Sequence, residues 1–403
     1  MAEILFLAHR APWPPDRGDR IRSWHLLQAL KAYAPVHIAA FVDDDADLAL
    51  AQPVLEQHCA STYLETRSGS KVRAALTTLP RLAPLSLGLF GSQAMQAQVD
   101  RLLASGRITH IVAFSCQVAQ FVPADFAGRF IMDFVDVDSA KFAAYGRADS
   151  WLSPMKAIHS YEGLSFARWE KSVARRADLS LFVSEAEAAL FRARSGIDDG
   201  RVRALDNGID LEKFSPDAAI DHISRPSAPL AVFTGQMDYR PNIEAVTLFA
   251  RDILPRLQAR LPNAGFAIVG RAPTDEVRAL GRLPGVTVTG EVPDTRPWLA
   301  AADVVVAPLQ VARGVQNKLL EAMAMARPVV ASPGAATGID AVAGRDLMIA
   351  DGAEQTAQII AELAEDGPRA AAMGLAARRR MVERYGWDAT MAPLGAMLGL
   401  PKL

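Results

Sequence analysis

Residues 313–332 read RGVQNKLLEAMAMARPVVAS, which predicts a loop, a short helix, a tight turn and a buried strand. Lys318 and Glu321 are three residues apart, so a helix places them on one face. Pro328 ends the helix, and the apolar run after it is typical of a strand covered on both faces. Apolar residues fill the neighbouring face of the helix: Leu319, Ala322, Met323 and Ala326.

The same segment carries groups that suit a phosphorylated sugar. Gly314 opens the helix without a Cβ that would block a ligand near the backbone. A helix N-terminus and the Lys318 ammonium both attract phosphate, and the Glu321 carboxylate suits sugar hydroxyls. A scaffold helix with a surface Lys–Glu pair explains these residues equally well, so the segment alone leaves both interpretations open.

The composition is that of an ordinary globular protein. The chain has 403 residues, 50% hydrophobic and 22% charged, with a formal net charge of -2, enough length for two or three domains. This charge gives no bulk field that would attract nucleic acid, so we expect no such partner. Cys59 and Cys116 stand far apart, which favours a reducing cytoplasm. HExxH, paired CxxC and Walker motifs are missing from the sequence, so we expect neither a metal nor a cofactor.

The location of the protein is predicted from its apolar segments. The first residues, Met1 to His9, are typical of a strand rather than a signal peptide, and no uncharged apolar run has the roughly 18 residues of a membrane span. Residues 66–107 are basic and rich in leucine and proline. They fit either contact with anionic lipid at the inner face of the plasma membrane or a pair of amphipathic helices. The basic residues are Arg67, Lys71, Arg73, Arg81, Arg101 and Arg107.

Ten short apolar runs predict strands, separated by amphipathic stretches that predict helices. This alternation indicates two Rossmann-like, doubly wound α/β domains that face a central cleft, with ligands at the carboxyl ends of the strands. We place the first domain at 1–216, a polar linker at 217–229, the second domain at 230–384 and a C-terminal helix at 385–403, packed on the first domain. The strands are Ile4–Ala8, Val36–Phe41, Ile108–Phe114, Arg129–Phe134, Leu179–Val183, Leu230–Thr234, Phe266–Val269, Val286–Val288, Val304–Ala307 and Val329–Ala331.

Polar residues follow two strands of the first domain. His9 ends the first strand, and a proline-rich loop then leads to Gly18, Asp19 and Arg22 at the start of a helix. Asp136 follows another strand and lies between two more aspartates. These groups suit anion or hydroxyl recognition and base catalysis, but a surface loop whose aspartates cap the next helix explains them as well.

A glycine turn also follows the first strand of the second domain. Gly235 ends that strand, and Arg240 at the start of the next helix has the charge to bind a diphosphate. The sequence lacks GxGxxG here, so it does not predict a dinucleotide site. An ordinary strand-to-helix turn is an equal alternative.

Taken in order, these segments resemble the GT-B glycosyltransferases of family 4. The resemblance rests on the loop with Gly18, on Asn207-Gly208-Ile209-Asp210, on Gly235, on Gly290-Glu291-Val292 and on residues 313–332. Within that family, the chain is most similar to the exopolysaccharide sugar transferases of PEP-CTERM/exosortase clusters.

The resemblance implies transfer of a sugar, with retention, from a nucleotide diphosphate sugar to a hydroxyl acceptor such as a lipid-linked saccharide. Glu321 is expected to bind the ribose hydroxyls of the donor. The residues expected to lie beside its base are Gly290, Glu291 and Val292. The resemblance also implies that the leaving diphosphate is stabilised without a metal, here by Lys318. Residues expected to line the sugar and diphosphate are Arg313, Gly314, Val315, Gln316, Asn317 and Lys318.

The chain departs from the family pattern at three places. Arg313 stands where the family has the first glutamate of its E-x7-E motif, and Gln236 and Pro241 replace the usual Arg and Lys. Asp136 lies where a histidine is usual, so Asp136 or His9 is our candidate to position the acceptor hydroxyl. Candidates to hold the diphosphate are Lys318, Arg240 and Arg313.

Two other classes of protein remain open. A nucleotide-sugar epimerase shares this architecture and needs no acceptor. A non-catalytic nucleotide-sugar-binding protein fits the missing glutamate and the missing Arg and Lys.

Overall fold

Two compact units make up the fold. The computed structural model describes residues 2–67, 78, 82–148, 154–197, 200–310 and 315–403. The first unit comprises Met1–Asp206 with Met391–Leu403, and the second comprises Asn207–Thr390. Each unit is built on one parallel sheet, of seven and six strands respectively. The predicted class of two Rossmann-like, doubly wound α/β domains is confirmed.

Strands and helices alternate along most of the first unit. Its strands are β1 (Glu3–Ala8), β2 (Val36–Val42), β3 (Ser61–Thr66), β4 (Ile108–Phe114), β5 (Arg129–Val135), β6 (Leu179–Phe182) and β7 (Val202–Ala204). Its helices include α1 (Gly18–Leu30), α2 (Asp45–His58), α3 (Leu85–Leu89), α4 (Gln93–Ala104), α5 (Asp138–Ala148), α6 (Pro154–Arg176) and α7 (Glu185–Ser195).

The second unit repeats this alternation. Its strands are β8 (Leu230–Thr234), β9 (Gly265–Val269), β10 (Val286–Gly290), β11 (Val304–Ala307), β12 (Val329–Ala331) and β13 (Met348–Ile349). Its helices include α8 (Arg240–Leu248), α9 (Leu254–Arg260), α10 (Asp275–Leu280), α11 (Arg296–Ala301), α12 (Asn317–Ala324), α13 (Pro333–Ala336), α14 (Gly352–Glu365), α15 (Gly367–Arg384) and α16 (Trp387–Met391). The last helix, α17 (Leu394–Leu398), belongs to the first unit.

Both sheets reverse their strand order at one point. The first sheet has the order β3-β2-β1-β4-β5-β6-β7, and the second has the order β10-β9-β8-β11-β12-β13. The reversal lies between β1 and β4 in the first unit and between β8 and β11 in the second. In sheets of this kind, ligands bind outside the carboxyl ends of the strands at the reversal. The order therefore directs attention to the residues that follow these four strands.

All ten predicted strands are present, with ends that differ by two residues at most. Three strands were missed: β3, β7 and β13. Each lies at the edge of its sheet, and two of them have only two or three residues. The residues of β3 are all half-buried. Edge strands need fewer apolar residues than strands covered on both faces, so they lack the continuous apolar run that predicts a buried strand.

Glycines at the ends of β8 and β9 allow these strands to end in close contact. A Cβ added at Gly270 would overlap the carbonyl oxygen of Gly235, and Gly270 has a φ of +150°. The Gly235 N–H donates to the Val269 carbonyl oxygen over 3.0 Å, and the Gly270 N–H donates to the Gly290 carbonyl oxygen over 3.1 Å. The adjacent strands β8, β9 and β10 therefore each have a glycine, which has no side chain, at or directly after their last residue.

The segment before β8 joins the second unit through its backbone. The Ile209 N–H donates to the Tyr385 carbonyl oxygen over 2.6 Å, and Arg378 Nη1 donates to the Phe214 carbonyl oxygen over 2.9 Å. The polar stretch 217–229, interpreted as a linker from the sequence, lies within this unit.

The last residues of the chain belong to the first unit. Arg129 Nε donates to the Met397 carbonyl oxygen over 2.7 Å, and His110 Nε2 lies 3.1 Å from the Leu398 carbonyl oxygen. Residues 391–403 therefore pack beside the amino ends of β4 and β5.

The close contact between Gly235 and Gly270 gives a stability prediction. We expect Gly270→Ala to lower the free energy of unfolding by about 2 kcal/mol, because the added methyl group forces two strand ends apart. Gly367→Ala is the control, since a Cβ there meets nothing within 4 Å. Urea unfolding of both variants measures the effect. Equal unfolding midpoints for the two variants would contradict the predicted overlap.

Candidate functional site

Lys318 lies at the strand reversal of the second sheet. Helix α12 packs on the core through buried apolar residues, and Lys318 in its first turn extends toward the end of β8. Its Nζ donates to Asn242 Oδ1 over 2.7 Å and lies 3.9 Å from the centroid of the Phe233 ring. A Cβ added at Gly235 would lie 3.1 Å from the same Nζ, so the ammonium stands beside bare backbone.

The charge of Lys318 has no carboxylate partner within ion-pair distance in the part of the chain that the structure describes. Burial lowers the pKa of Lys318 to about 7, although the charge of Glu321 acts to raise it. A partly buried cation without an ionic partner is costly. An anionic ligand at this place would supply the missing charge.

Glu321 lies one turn further along the same helix and is half-buried. Burial raises its pKa to about 7, against the opposing charges of Lys213 and Lys318. Lys213 comes from the segment before β8, which packs on the second unit. The carboxylate is thus held in a poorly solvated place, where hydroxyl donors from a ligand would stabilise its ionised form.

The loop after β8 joins Lys318 to a second cation. Asn242 Nδ2 donates to the Gln236 carbonyl oxygen over 2.8 Å, while Arg271 Nη2 donates to Gln236 Oε1 over 3.2 Å. Arg271 follows β9 and is exposed. Two cations, Lys318 and Arg271, therefore border the same loop.

The other predicted donor residues vary in exposure. Gly290 has a φ of +71° and open space around it, and Val292 packs on the core. Arg240 is 80% exposed and binds Glu244 over 2.7 Å, as expected for an ordinary surface ion pair. Arg313 and Gly314 lie outside the described residues. Of the remaining predicted residues, Glu291 and Asn317 are exposed, and Val315 and Gln316 are half-buried.

A cavity of about 390 Å³ lies at the carboxyl ends of β11, β12 and β13. It contains none of the predicted site residues. Its lining includes Pro308, Leu309, Ser332, Gly334, Asp351 and Thr356. We favour the group around Lys318 as the site, because it contains an unpaired cation and the cavity lining does not.

His9 and Asp19 meet at the strand reversal of the first sheet. His9 Nε2 lies 3.4 Å from Asp19 Oδ2, and Arg10 Nη1 donates to the same oxygen over 2.5 Å. The His9 ring stacks on Phe114 at a centroid distance of 5.8 Å. Burial acts to raise the pKa of Asp19, but the hydrogen bonds and charges of His9 and Arg10 outweigh it and hold that pKa well below its usual range. Asp19 therefore stays ionised.

The aspartates after β5 lie at the same edge of the first sheet. Gln117 Nε2, after β4, donates to Asp138 Oδ2 over 3.4 Å. Asp136 is exposed. Desolvation by the surrounding protein atoms nevertheless raises the pKa of its carboxyl group, although the positive charges of Lys141 and Arg22 act to lower that pKa. A raised pKa strengthens a carboxylate as a base.

The start of α5 is capped by glutamates from other helices rather than by these aspartates. The Ser139 N–H donates to Glu170 Oε1 over 2.9 Å, and the Val137 N–H donates to Glu187 Oε2 over 2.9 Å. Carboxylates that are distant in the sequence therefore accept these two N–H groups.

Arg22 reaches the same loop through a buried ion pair. Its Nε donates to Asp133 Oδ2 over 3.0 Å, and both side chains are at most 1% exposed. Asp133 Oδ1 accepts from the Val135 N–H over 3.1 Å, which holds the start of the loop. Arg22 thus orders the loop that carries Asp136. Gly18 is the first residue of helix α1, and a Cβ added there would meet nothing within 4 Å.

The described residues contain neither a cluster of metal ligands nor a membrane span. No three His, Cys, Asp or Glu side chains are grouped so that they could hold a metal ion. No described helix is both long and apolar enough to cross a bilayer. The expected lack of a metal and a cofactor stays a prediction.

The two units define a GT-B fold, as comparison with solved structures confirms. Sucrose-phosphate synthase from Thermosynechococcus elongatus superposes with a TM-score of 0.67 and 19% identity, covering 98% of each chain. Anabaena Alr3699/HepE in complex with UDP superposes with a TM-score of 0.65 and 18% identity, covering 98% of this chain and 99% of that one.

Part of the chain is similar in sequence to known glycosyltransferases. Residues 228–366 match the profile of the family described as "Glycosyl transferases group 1". A phosphatidyl-myo-inositol mannosyltransferase of Mycolicibacterium smegmatis is 34% identical over 197 residues, 47% of this chain and 50% of that protein. A GDP-mannose-dependent alpha-(1-6)-phosphatidylinositol monomannoside mannosyltransferase of Mycobacterium tuberculosis is 28% identical over 269 residues, 60% and 69% of the two chains. The chain thus spans about half the length of the first relative.

The buried ion pair of the first unit gives a second stability prediction. We expect Arg22→Met to lower the free energy of unfolding by about 3–5 kcal/mol, because it leaves the Asp133 carboxylate buried and unpaired. Arg240→Met, which breaks an exposed pair, should cost less than about 1 kcal/mol. Chemical denaturation compares the variants. A cost for Arg22→Met as small as that for Arg240→Met would contradict the role of this ion pair.

Proposed function

We propose that the protein is a glycosyltransferase that transfers a sugar from a nucleotide diphosphate sugar to a hydroxyl acceptor, with retention and without a metal. The donor binds the second unit at the carboxyl ends of β8 to β11. The acceptor is a lipid-linked saccharide, and the product belongs to the synthesis of an exopolysaccharide or another cell-surface glycan.

The unpaired ammonium of Lys318 is the observation that carries this proposal. It stands beside the bare backbone of Gly235 at the strand reversal, where α/β sheets bind ligands. Glu321, one turn away, suits the ribose hydroxyls, and Arg271 adds a second positive charge. A diphosphate next to a ribose presents matching charges and hydrogen-bond donors.

Lys318 then has a defined part in the transfer. The bond between the anomeric carbon and the β-phosphate oxygen breaks, and its electron pair stays on the diphosphate, where the ammonium stabilises the added charge. The acceptor oxygen bonds to the same face of the anomeric carbon, which retains its configuration. The proton of the acceptor hydroxyl passes to the departing phosphate oxygen. Asp136 and His9, in the first unit, are our candidates to position that hydroxyl.

The printed names of the relatives support the choice of substrates. The mannosyltransferase of M. tuberculosis is named as GDP-mannose-dependent and as acting on a phosphatidylinositol monomannoside, which makes a lipid-bearing acceptor the best choice here. The Anabaena protein binds UDP, so both nucleotides belong in a test. Work on such an acceptor fits a cytoplasmic protein that contacts the anionic inner face of the membrane.

The rival functions give different results in one assay. An epimerase would change the sugar of the donor without any acceptor, and a non-catalytic protein would bind the donor without consuming it. Consumption of donor that depends on an added hydroxyl acceptor supports the transferase alone.

Removal of the site charges should weaken donor binding. We expect Lys318→Met and Glu321→Gln each to weaken binding of UDP or GDP by about tenfold or more, because each removes a charged hydrogen-bond partner. Thermal shift with a panel of nucleoside diphosphates and their sugars measures this, since a bound ligand stabilises by mass action. Arg260→Met and Glu365→Gln are the controls, since these residues form an exposed ion pair that belongs to no predicted site. If a nucleotide raises the melting temperature of these two variants as much as that of the parent, the site assignment is wrong. If no nucleotide raises the melting temperature of the parent, the proposed function is wrong.

Nucleotide affinity should peak near pH 7. Lys318 must be charged in the complex and has a pKa of about 7 without ligand, so above pH 7 binding requires proton uptake and the affinity falls. Glu321 must be ionised to accept two hydroxyls and also has a pKa of about 7, so the affinity falls below pH 7. Calorimetric titration from pH 5.5 to 8.5 tests this. Lys318→Met should remove the alkaline limb of the profile, which is the fall in affinity above pH 7. Glu321→Gln should remove the acid limb, which is the fall below pH 7. If both limbs persist in these variants, the assignment of the two residues is wrong.

A further inference from the structure

Asn242 lies in the first turn of α8 and is only 6% exposed. Its Nδ2 donates to the Gln236 carbonyl oxygen over 2.8 Å. Because a carbonyl oxygen only accepts, this bond fixes which end of the amide is the NH2 group. The Oδ1 atom is therefore turned toward Lys318, whose Nζ donates to it over 2.7 Å.

This bond decides where the Lys318 ammonium stands. Asn242 Oδ1 is the single hydrogen-bond acceptor of Nζ within the described ranges, and the Phe233 ring lies on another side of it. The lysine side chain is long and flexible and has three donors. With one donor fixed on Asn242, the others are left for a ligand beside Gly235.

The chemistry of the amide suits this task. Among the described residues, Glu321 is the charged group that acts on Lys318. Lys213 acts in turn on Glu321, and Arg271 binds Gln236, whose carbonyl oxygen accepts from Asn242. A carboxylate in place of Asn242 would form an ion pair with the ammonium and compete with an anionic ligand. A neutral acceptor orients the ammonium and leaves its charge available.

We propose that Asn242 is a positioning residue that holds the Lys318 ammonium beside Gly235, where it meets the diphosphate of the donor. The proposal rests on the proposed function, because it takes the ligand of Lys318 to be a nucleoside diphosphate. Asn242 itself acts through Lys318 and through the loop that starts at Gln236. It connects two segments that are 76 positions apart in the chain.

A double-mutant cycle tests whether Asn242 acts through Lys318. The affinities for UDP and GDP, each added alone, are measured by calorimetry for the parent, Asn242→Leu, Lys318→Met and the double variant. We expect Asn242→Leu to weaken binding by about tenfold in the parent and by less than about twofold when Lys318 is already Met. A tenfold loss in both backgrounds would mean that Asn242 only supports the fold, which overturns the proposal.

Asn242→Asp gives a readout that a structural role would not change. The new carboxylate stabilises the charged lysine, so the alkaline limb of the affinity profile should move to higher pH while the maximal affinity falls. An unmoved limb would count against the proposal. Thr247→Val is the matched control, since it removes a hydroxyl of the same helix that has no hydrogen-bond partner, and it should change affinity by less than about twofold.

The outcomes separate this proposal from the function on which it rests. If the parent binds UDP or GDP and Asn242→Leu binds equally well, the positioning role fails and the donor site stands. If the parent binds neither nucleotide, both fail.

Discussion

The close contact between Gly235 and Gly270 is the constraint on which the site depends. The carbonyl oxygen of Gly235 occupies the space that a side chain at position 270 would need. Strands β8 and β9 can therefore end side by side, with Gly270 bonded onward to Gly290. The result is a surface of bare backbone at the strand reversal. Asn242 and Lys318 can approach this surface because Gly235 has no side chain.

The position of the positive charge follows from that surface. The resemblance to family 4 leads one to expect an arginine and a lysine after β8, where this chain has Gln236 and Pro241. In the structure, Lys318 extends from α12 to the end of β8, while Gln236 holds the guanidinium of Arg271. The loop after β8 contains no arginine or lysine, and it is bordered instead by Lys318 and Arg271, which come from other segments. We infer that charge at the site is preserved although the residues that supply it have changed.

Much of the fold could be predicted, because strands covered on both faces must be apolar throughout. Nine of the ten predicted strands are recognisable for that reason, and the edge strand β10 is recognisable from its valines. The edge strands β3, β7 and β13 face less protein and carry no such signal. The alternation of strands and helices was enough to predict two doubly wound sheets. Bounds of the units were harder to draw, since residues 207–229 join the second unit through contacts with residues far along the chain, such as Tyr385 and Arg378.

The site could be predicted only where its residues share a local pattern. Lys318 and Glu321 were recognised from their spacing on one helix, and Gly235 from its place after a strand. No spacing relates Asn242 to Lys318 or Arg22 to Asp133, which are 76 and 111 positions apart. These partners are brought together by the order of the strands, so sequence periodicity carries no signal for them. Arg271 and Lys213 went unnoticed for the same reason.

The most direct test is a crystal structure of the protein with the nucleoside diphosphate that raises its melting temperature most. We predict the β-phosphate within about 3 Å of Lys318 Nζ, beside Gly235, with the ribose hydroxyls on Glu321. A nucleotide bound elsewhere, for example in the cavity at Ser332, would contradict the account.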